Sequence, residues 1–476
     1  MKKIIFQKAE NNFTMIIFGA SGSLAKLKLF PSIYQLAAEC RLPKDYKIIG
    51  YGRSEISNDE FREFFRKSLM ERTEHVDEQK LDLLLKNIFY VSGQYNEKKD
   101  FQKLRATLDE VEKTKNRIRI AYFSVPPSAF TEIFENLAAV NFNSIKAKLR
   151  LVIEKPFGYD FKSAKNLAKT LQKHFAKEQI YLLDHYLGKE SVTNLLSLRY
   201  ANSILTTLFN REYVSNIQIS ALESKDIEGR ANYFDNVGIL RDMVQSHLLQ
   251  ILAYLTMFMP RERTAESIHH EKAQVLKSIR VKNLVHGQYI GYKKEVGKDS
   301  RTETYAAIKL ALKHPLWKDV PIYLRSGKSL VEQWTAIVFE FKPRKAQRDH
   351  GTLAHNRIVI QLQPYEKIEF HLLTKLGGKT FDFHELTTGR PIYCSGDCLN
   401  EHGRLLLDVI AGKNDLFLNF EEIFAAWKVI DPLQKLSTKM KKMDLHLYKK
   451  GSKGPKAADE LLAKDGFKWF YSLPNA

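Results

Sequence analysis

The sequence predicts an α/β protein with two parts. An N-terminal doubly wound, Rossmann-like parallel sheet is followed by a larger α+β domain with a mainly antiparallel sheet. Three observations carry this. Apolar runs alternate with helix-period stretches from Phe13 to Leu183, the pattern of βαβ units. The first run leads into a small-residue turn, Gly19-Ala20-Ser21-Gly22-Ser23-Leu24-Ala25-Lys26, that opens a helix. Past Lys189, long helical stretches mix with segments of alternating polar and apolar residues, which suit a sheet with one wet face. At 476 residues the chain is long for one core, and the change of pattern places a boundary at 184, giving domains 1–184 and 185–476.

Taken in order, Phe13–Phe18 is a short buried strand, and the turn and a helix to about Glu39 follow. Strand, small-residue turn and helix are the context of a phosphate-binding turn. Glycine lets the backbone approach a pyrophosphate, and the helix start offers free N–H groups. Tyr46–Tyr51 is the second strand, ending Gly52-Arg53-Ser54. An NAD-binding domain carries Asp or Glu near this point for the ribose 2′-hydroxyl. A guanidinium pairs with a 2′-phosphate that a carboxylate would repel, so NADP is expected as the cofactor. Ser57 with Glu60 makes a capping box for a helix toward Met70. Ile88–Val91, Ile118–Phe123, Leu151–Glu154 and Ile180–Leu183 complete the strands, with a charged helix at Lys99–Lys115. Tyr122 lies just before a Pro-Pro break, and Lys155 follows a strand's C-terminal end, where open parallel sheets bind ligands. Beyond the boundary, Ser191–Tyr200, Ile239–Met259 and Thr264–Lys277 read as helices. Val214–Ala221, Ala336–Phe341, Ile358–Gln363 and Lys367–Leu373 read as strands.

Composition narrows the partners. The formal net charge is +20 and the pI about 9.5, which fits an anionic ligand. The denser basic runs are Lys342–Arg348 and Lys439–Lys456, but no basic motif is interleaved with aromatics, so nucleic acid is not expected. Three cysteines, Cys40, Cys394 and Cys398, make no disulfide framework and suggest a reducing compartment. They lack zinc spacing, so no metal site is expected. No segment approaches about 20 apolar residues, so no membrane span is expected. The apolar core near the N-terminus, Ile4-Ile5-Phe6, is too short for a signal peptide. A cytoplasmic location follows as an expectation.

The candidate site centres on Asp184-His185-Tyr186-Leu187-Gly188-Lys189-Glu190, directly after the Ile180–Leu183 strand. His185, Tyr186 and Lys189 are donors suited to an anionic head group, and Asp184 suits a carboxylate that orients a histidine. A second stretch, Gly238–Gln250, is helical by period yet carries Arg241, Asp242, Gln245 and His247. A lone histidine on an apolar helix is more often a satisfied core residue.

These stretches, together with Glu154–Gly158, Tyr233–Asp235, Val320–Lys328, Gln363-Pro364 and Gly451–Pro455, occur in the order found in glucose-6-phosphate dehydrogenases. The chain resembles that family from Phe13 to near its C-terminus. The resemblance implies oxidation of glucose 6-phosphate to 6-phosphoglucono-1,5-lactone with hydride transfer to NADP, the first step of the pentose phosphate pathway. It implies His247 as general base and Asp184 as its orienter. It implies Lys155, His185, Tyr186, Lys189, Glu223, Asp235, Lys328 and Gln363 as substrate contacts. For the cofactor it implies Gly19 to Lys26, Arg53, Ser54, Tyr122 and Lys155. It assigns 1–184 to NADP binding and 185–476 to substrate binding and oligomerisation, with a homodimer or homotetramer expected. The sequence departs from the family pattern at Ser23, Ser246 and Gln333, where Asp, Asn and Arg are usual. Gln361 stands where members with a second, structural NADP have Arg, so no second NADP is expected. Two other readings are an NAD(P)-dependent oxidoreductase of another sugar and a basic binding module without catalysis.

Overall fold

The computed structural model describes residues 7–112, 117–142, 147–227, 229–343, 354–375, 377, 383–391, 398–439 and 445–471. Glu228, Cys394 and the basic residues 344–348 lie outside them. Two compact units share the chain. Unit one is Met1–Glu190, Thr264–Glu266 and Cys394–Phe420, and unit two is Ser191–Arg263, Ser267–Tyr393 and Glu421–Ala476. Unit one thus runs past Asp184 and takes in a late segment of the chain.

Unit one holds a six-stranded sheet of β1 (Phe13–Phe18), β2 (Tyr46–Gly52), β3 (Ile88–Ser92), β4 (Arg117–Phe123), β5 (Ala147–Glu154) and β6 (Ile180–Leu183). Their order is β3-β2-β1-β4-β5-β6 and every pairing is parallel. Such strands are covered on both faces, which is why β1 and β4 are buried throughout. The order reverses between β1 and β4, the point where doubly wound sheets bind ligands. Register sets that point. Phe18 lies opposite Tyr51 on one side and Phe123 on the other, so Gly19, Gly52 and Ser124 emerge together at one sheet edge. The helix Glu401–Ala411 supplies Leu405, Leu406, Val409 and Ile410 to the same core as Phe30 and Phe65. Ser32 donates to Asn400 Oδ1 at 2.8 Å, which ties the start of that helix to the helix Phe30–Ala38. The capping box of Ser57 and Glu60 is present.

Unit two holds β7 (Val214–Leu222), β8 (Ile279–Tyr289), β9 (Tyr305–Leu312), β10 (Ile322–Gly327), β11 (Trp334–Phe341), β12 (Arg357–Gln363), β13 (Lys367–Lys375), β14 (Phe383–Pro391) and β15 (His446–Tyr448). They form one nine-stranded sheet, β14-β13-β12-β11-β7-β10-β9-β8-β15. Only β7 with β10 and β8 with β15 run parallel; the other pairings are antiparallel. The four strands expected from alternation are β7, β11, β12 and β13. The expectation missed β8, β9, β10, β14 and β15. β10 is buried at all six positions, so it has no alternating pattern to read. β14 is exposed at all but its last residue, so it has no apolar face to read. Arg325, on β10, is fully buried. It donates to Ser220 Oγ at 2.8 Å and to the Phe470 carbonyl at 2.9 Å, and lies over the rings of Trp469 and Tyr471. That holds the C-terminal segment against the sheet. Cys398 is disulfide-bonded, which the count of three cysteines did not suggest.

Candidate active site

Unit one carries the expected dinucleotide turn. Gly19 has φ +78°, and a Cβ there would overlap the Ser124 carbonyl, so the turn lies directly against the end of β4. Gly19 N–H donates to the Tyr51 carbonyl at 2.8 Å, and Gly22 N–H to the Gly19 carbonyl at 2.9 Å. Ala20 and Ala25 are buried, Gly22, Leu24 and Lys26 half-buried, and Ser21 and Ser23 exposed. Lys26 Nζ sits 4.4 Å over the Phe64 ring. Arg53 and Ser54 are exposed at the end of β2. A close-lying glycine turn with an exposed guanidinium one strand away fits the NADP expected from sequence. Tyr122 is different: it is fully buried on β4, and its hydroxyl donates to the Glu154 carboxylate. Burial first, then the charge of Glu154, pushes its pKa well up. Its ring therefore lies in the sheet core, ordering the end of β5 next to half-buried Lys155.

After β6 the chain turns into a single 3₁₀ turn, His185–Gly188. Asp184 is fully buried and caps it, its Oδ1 accepting from Tyr186 N–H at 3.0 Å. That cap is the local reason the turn forms, since an Asp here satisfies an N–H otherwise left open. Lys189 Nζ lies 4.1 Å over the Tyr186 ring, which holds the side chain in place. The His185 ring stacks on His402 at 6.4 Å, and His402 Nε2 lies 3.6 Å from Glu154. Gly188 is the close approach. A Cβ there would come within 2.7 Å of Leu405 Cδ1 and 2.9 Å of the Glu401 carbonyl. Arg404 pairs with Glu190 on the same face. Turn and helix Glu401–Ala411 are thus one packed assembly, a support that nothing in the heptapeptide announced.

Unit two carries the rest. His247 is 2% exposed on a π-helical stretch, Leu240–Leu248, between the α-helices Ala231–Ile239 and Leu249–Thr256. The sequence expectation was one α-helix over Ile239–Met259. The break falls at Gly238, whose φ is +70°. A Cβ there would come within 2.5 Å of Glu303 Oε1. Glu303 then caps the stretch: Leu240 N–H donates to its Oε1 at 3.3 Å and Ile239 N–H to its backbone carbonyl at 3.0 Å. Burial raises its pKa to about 7, against the opposing pull of backbone N–H bonds and Arg241. The π winding has a consequence for the site. In an α-helix of 3.6 residues per turn, residues five apart point in different directions. With i→i+5 bonding they lie nearly one turn apart. Asp242, five residues before His247 on this stretch, is half-buried. Sequence reasoning gave Asp242 no role and read this segment with the α period.

Glu223 directly follows β7 and Lys328 directly follows the neighbouring β10, whose last residues lie opposite each other, and the two form an ion pair. Lys328 is 3% exposed, with Nζ 5.1 Å from the Phe234 ring centre. Gln363 closes β12, its Oε1 accepting from Thr335 Oγ1 at 3.0 Å. Asp235, expected as a substrate contact, has several partners within unit two. Its carboxylate accepts from Lys298 at 2.6 Å, Tyr292 at 2.9 Å and Ser300. Burial would raise its pKa, but these donors outweigh it and hold it below the usual range. Asp235 thus braces its own unit. Gln361 is likewise used internally, accepting from Trp334 Nε1 at 3.0 Å and donating to the Tyr365 carbonyl at 3.0 Å.

With this geometry in place, the chain was compared with known proteins. The family model described as "Glucose-6-phosphate dehydrogenase, NAD binding domain" matches residues 16–194, and "Glucose-6-phosphate dehydrogenase, C-terminal domain" matches 196–470. A glucose-6-phosphate 1-dehydrogenase of Caenorhabditis elegans is 36% identical over 97% of this chain and 92% of its own. The chloroplastic enzyme of Spinacia oleracea is 35% identical over 97% of this chain and 84% of its own. Among solved structures, a glucose-6-phosphate dehydrogenase in complex with its substrate glucose-6-phosphate aligns with TM-score 0.88 at 31% identity, covering 99% of this chain and 100% of that one. The enzyme from Mycobacterium avium aligns with TM-score 0.86 at 30% identity, covering 98% of this chain and 100% of that one.

Proposed function

The chain belongs to the glucose-6-phosphate dehydrogenase family, and on that premise we propose how its own residues divide the reaction. It oxidises glucose 6-phosphate to 6-phosphoglucono-1,5-lactone with NADP as hydride acceptor, the first step of the pentose phosphate pathway. The observation that carries this is the full-length match to both halves of the family.

Forming the C1 carbonyl of the lactone requires loss of the C1 hydroxyl proton as hydride leaves the same carbon. NADP, when bound, accepts that hydride. His247 takes the proton. It is nearly sealed from water, at 2% exposure. Asp184 stabilises the imidazolium that forms, as the carboxylate does in a Ser-His-Asp triad. His185, Tyr186 and Lys189 grip the phosphate, and holding that remote charge positions C1. Lys155, Glu223, Lys328 and Gln363 contact sugar or phosphate. Asp242 takes the sugar-contacting role first expected of Asp235. The turn Gly19–Lys26 holds the pyrophosphate, Arg53 and Ser54 the 2′-phosphate, and Tyr122 and Lys155 shape the nicotinamide end. Residues 1–184 bind NADP, and residues 185–476 bind the sugar phosphate and a second copy.

No helix among the described residues is long and apolar enough to cross a membrane. We place the enzyme in the cytoplasm, where both substrates are metabolites, and fractionation of cells tests that. The deciding assay follows absorbance of the reduced coenzyme with glucose 6-phosphate and glucose, each with NADP and NAD. Turnover of glucose equal to that of glucose 6-phosphate would favour another sugar oxidoreductase and remove the role of Lys189. Arg53→Ala should erode the preference for NADP over NAD without altering KM for the sugar phosphate.

A further inference from the structure

β15 pairs with only Gly287–Tyr289 of β8. Among the described residues, no strand pairs with Ile279–His286 on that side. The helix Phe420–Lys439 and the C-terminal end of the helix Ala265–Ser278 face this open edge, leaving a cavity of about 750 Å³. That is the size of a small-molecule site rather than a packing defect. Its floor is apolar, with Leu276, Ile279 and Leu433 each at most 5% exposed. Its rim is cationic: Arg280, Lys282 and Lys428 are exposed, and no carboxylate lines it. A fourth lining cation, Lys277, is paired with Glu421.

A second observation is a buried ring at the cavity wall. His286 lines the cavity, is 9% exposed, and its Nδ1 has no hydrogen-bond partner among the described residues. Burial, and then the nearby His446, lowers its pKa to about 4, so the ring is neutral at physiological pH. A buried, unpaired polar atom is costly unless something bonds to it.

We propose that this cavity, formed wholly within unit two and by none of the residues assigned to the reaction, binds an amphipathic anion: an apolar body with one carboxylate-type head group. The apolar body lies on the Leu276–Ile279–Leu433 floor and the head group is held by Arg280 and Lys282. The bland explanation of these cations is that they keep other strands off an open sheet edge, and it makes a different prediction.

The test titrates the full chain with the fluorescent sulfonate 8-anilinonaphthalene-1-sulfonate, then competes with decanoate or decanol. One saturable site is expected, displaced by decanoate far better than by decanol. Lys282→Glu together with Arg280→Glu should weaken it at least tenfold, with Tm and NADPH formation in the absence of decanoate unchanged. Should the double variant unfold, Lys282→Glu alone serves the same comparison. Hydrogen exchange with decanoate bound should slow in Ile279–Leu284. Equal displacement by decanol would overturn the anionic preference. Unchanged affinity in the charge-reversed variants would assign the cations to edge protection. Displacement by NADP or glucose 6-phosphate would place the dye in the active site and end the proposal.

Discussion

At the scale of single residues, the proposed general base is His247. His247→Asn should lower kcat by about 10²–10⁴-fold, the usual contribution of a positioned general base, with little change in KM. Near-normal turnover in a steady-state assay would remove it from that role. Asp184→Asn should lower kcat less. If the two act as a unit, the double variant should be hardly worse than His247→Asn alone, because residues in one network are not additive. Full additivity would separate them. Lys189→Ala removes a charge-assisted contact worth about 1.5–3 kcal/mol. KM for glucose 6-phosphate should therefore rise by roughly ten- to a hundredfold, while NADP affinity holds. Of these candidates, the donors crowded after a strand were nominated by their own chemistry, whereas His247, which alone reads as a core histidine, was nominated by the family resemblance. The π winding of the stretch that carries His247 was not legible, since its apolar spacing read as an ordinary helix. Nor was the engagement of Asp235, whose partners Lys298 and Ser300 lie more than sixty residues on.

At the scale of elements, two supports decide whether the site is presented. One is Glu303 under the π-helical stretch. Its ordinary pKa is 4.5 and burial raises it to about 7 in the folded protein. The folded state therefore holds this proton more tightly than the unfolded chain. Its stabilising effect is complete below about pH 4.5 and is lost as pH rises toward and through 7. Glu303→Gln should flatten that part of the stability–pH curve, measured by denaturant unfolding at a series of pH values. An unchanged slope would mean the carboxyl is not buried as described. The second support is Gly188, pressed against Leu405 and Glu401. Gly188→Ala should push the 3₁₀ turn off the helix Glu401–Ala411, lowering Tm and raising KM for glucose 6-phosphate. A variant with wild-type Tm and KM would show the contact to be slack. Neither support follows from local pattern, because each depends on a side chain or helix distant in sequence.

At the scale of the whole molecule, the nine-stranded sheet ends in β14, whose outer side pairs with no strand among the described residues. β14 is an edge, and Phe383 and Leu386 are 40% and 46% exposed there. Native edges of this kind are usually covered, and pairing with a second copy through this face is the proposed assembly. Leu386→Glu should shift the species seen by analytical ultracentrifugation toward the monomer. A wild-type chain that is monomeric at micromolar concentration would dispose of the idea. The net charge of +20 adds an opposing repulsion between copies, so assembly should strengthen with salt.

The sequence by itself determined the strand–turn–helix start, the parallel first sheet, the switch to a mixed second sheet and the chemical inventory of the site. These follow from short-range rules: period, turn chemistry and the charges a residue carries. The tertiary structure alone decided which elements back that inventory. It placed helix Glu401–Ala411 in the first unit, wound Leu240–Leu248 as a π-helix over Glu303, and gave Asp235 to Lys298. Those outcomes depend on what residues far apart in the chain press against each other, and packing of that kind leaves no period to read.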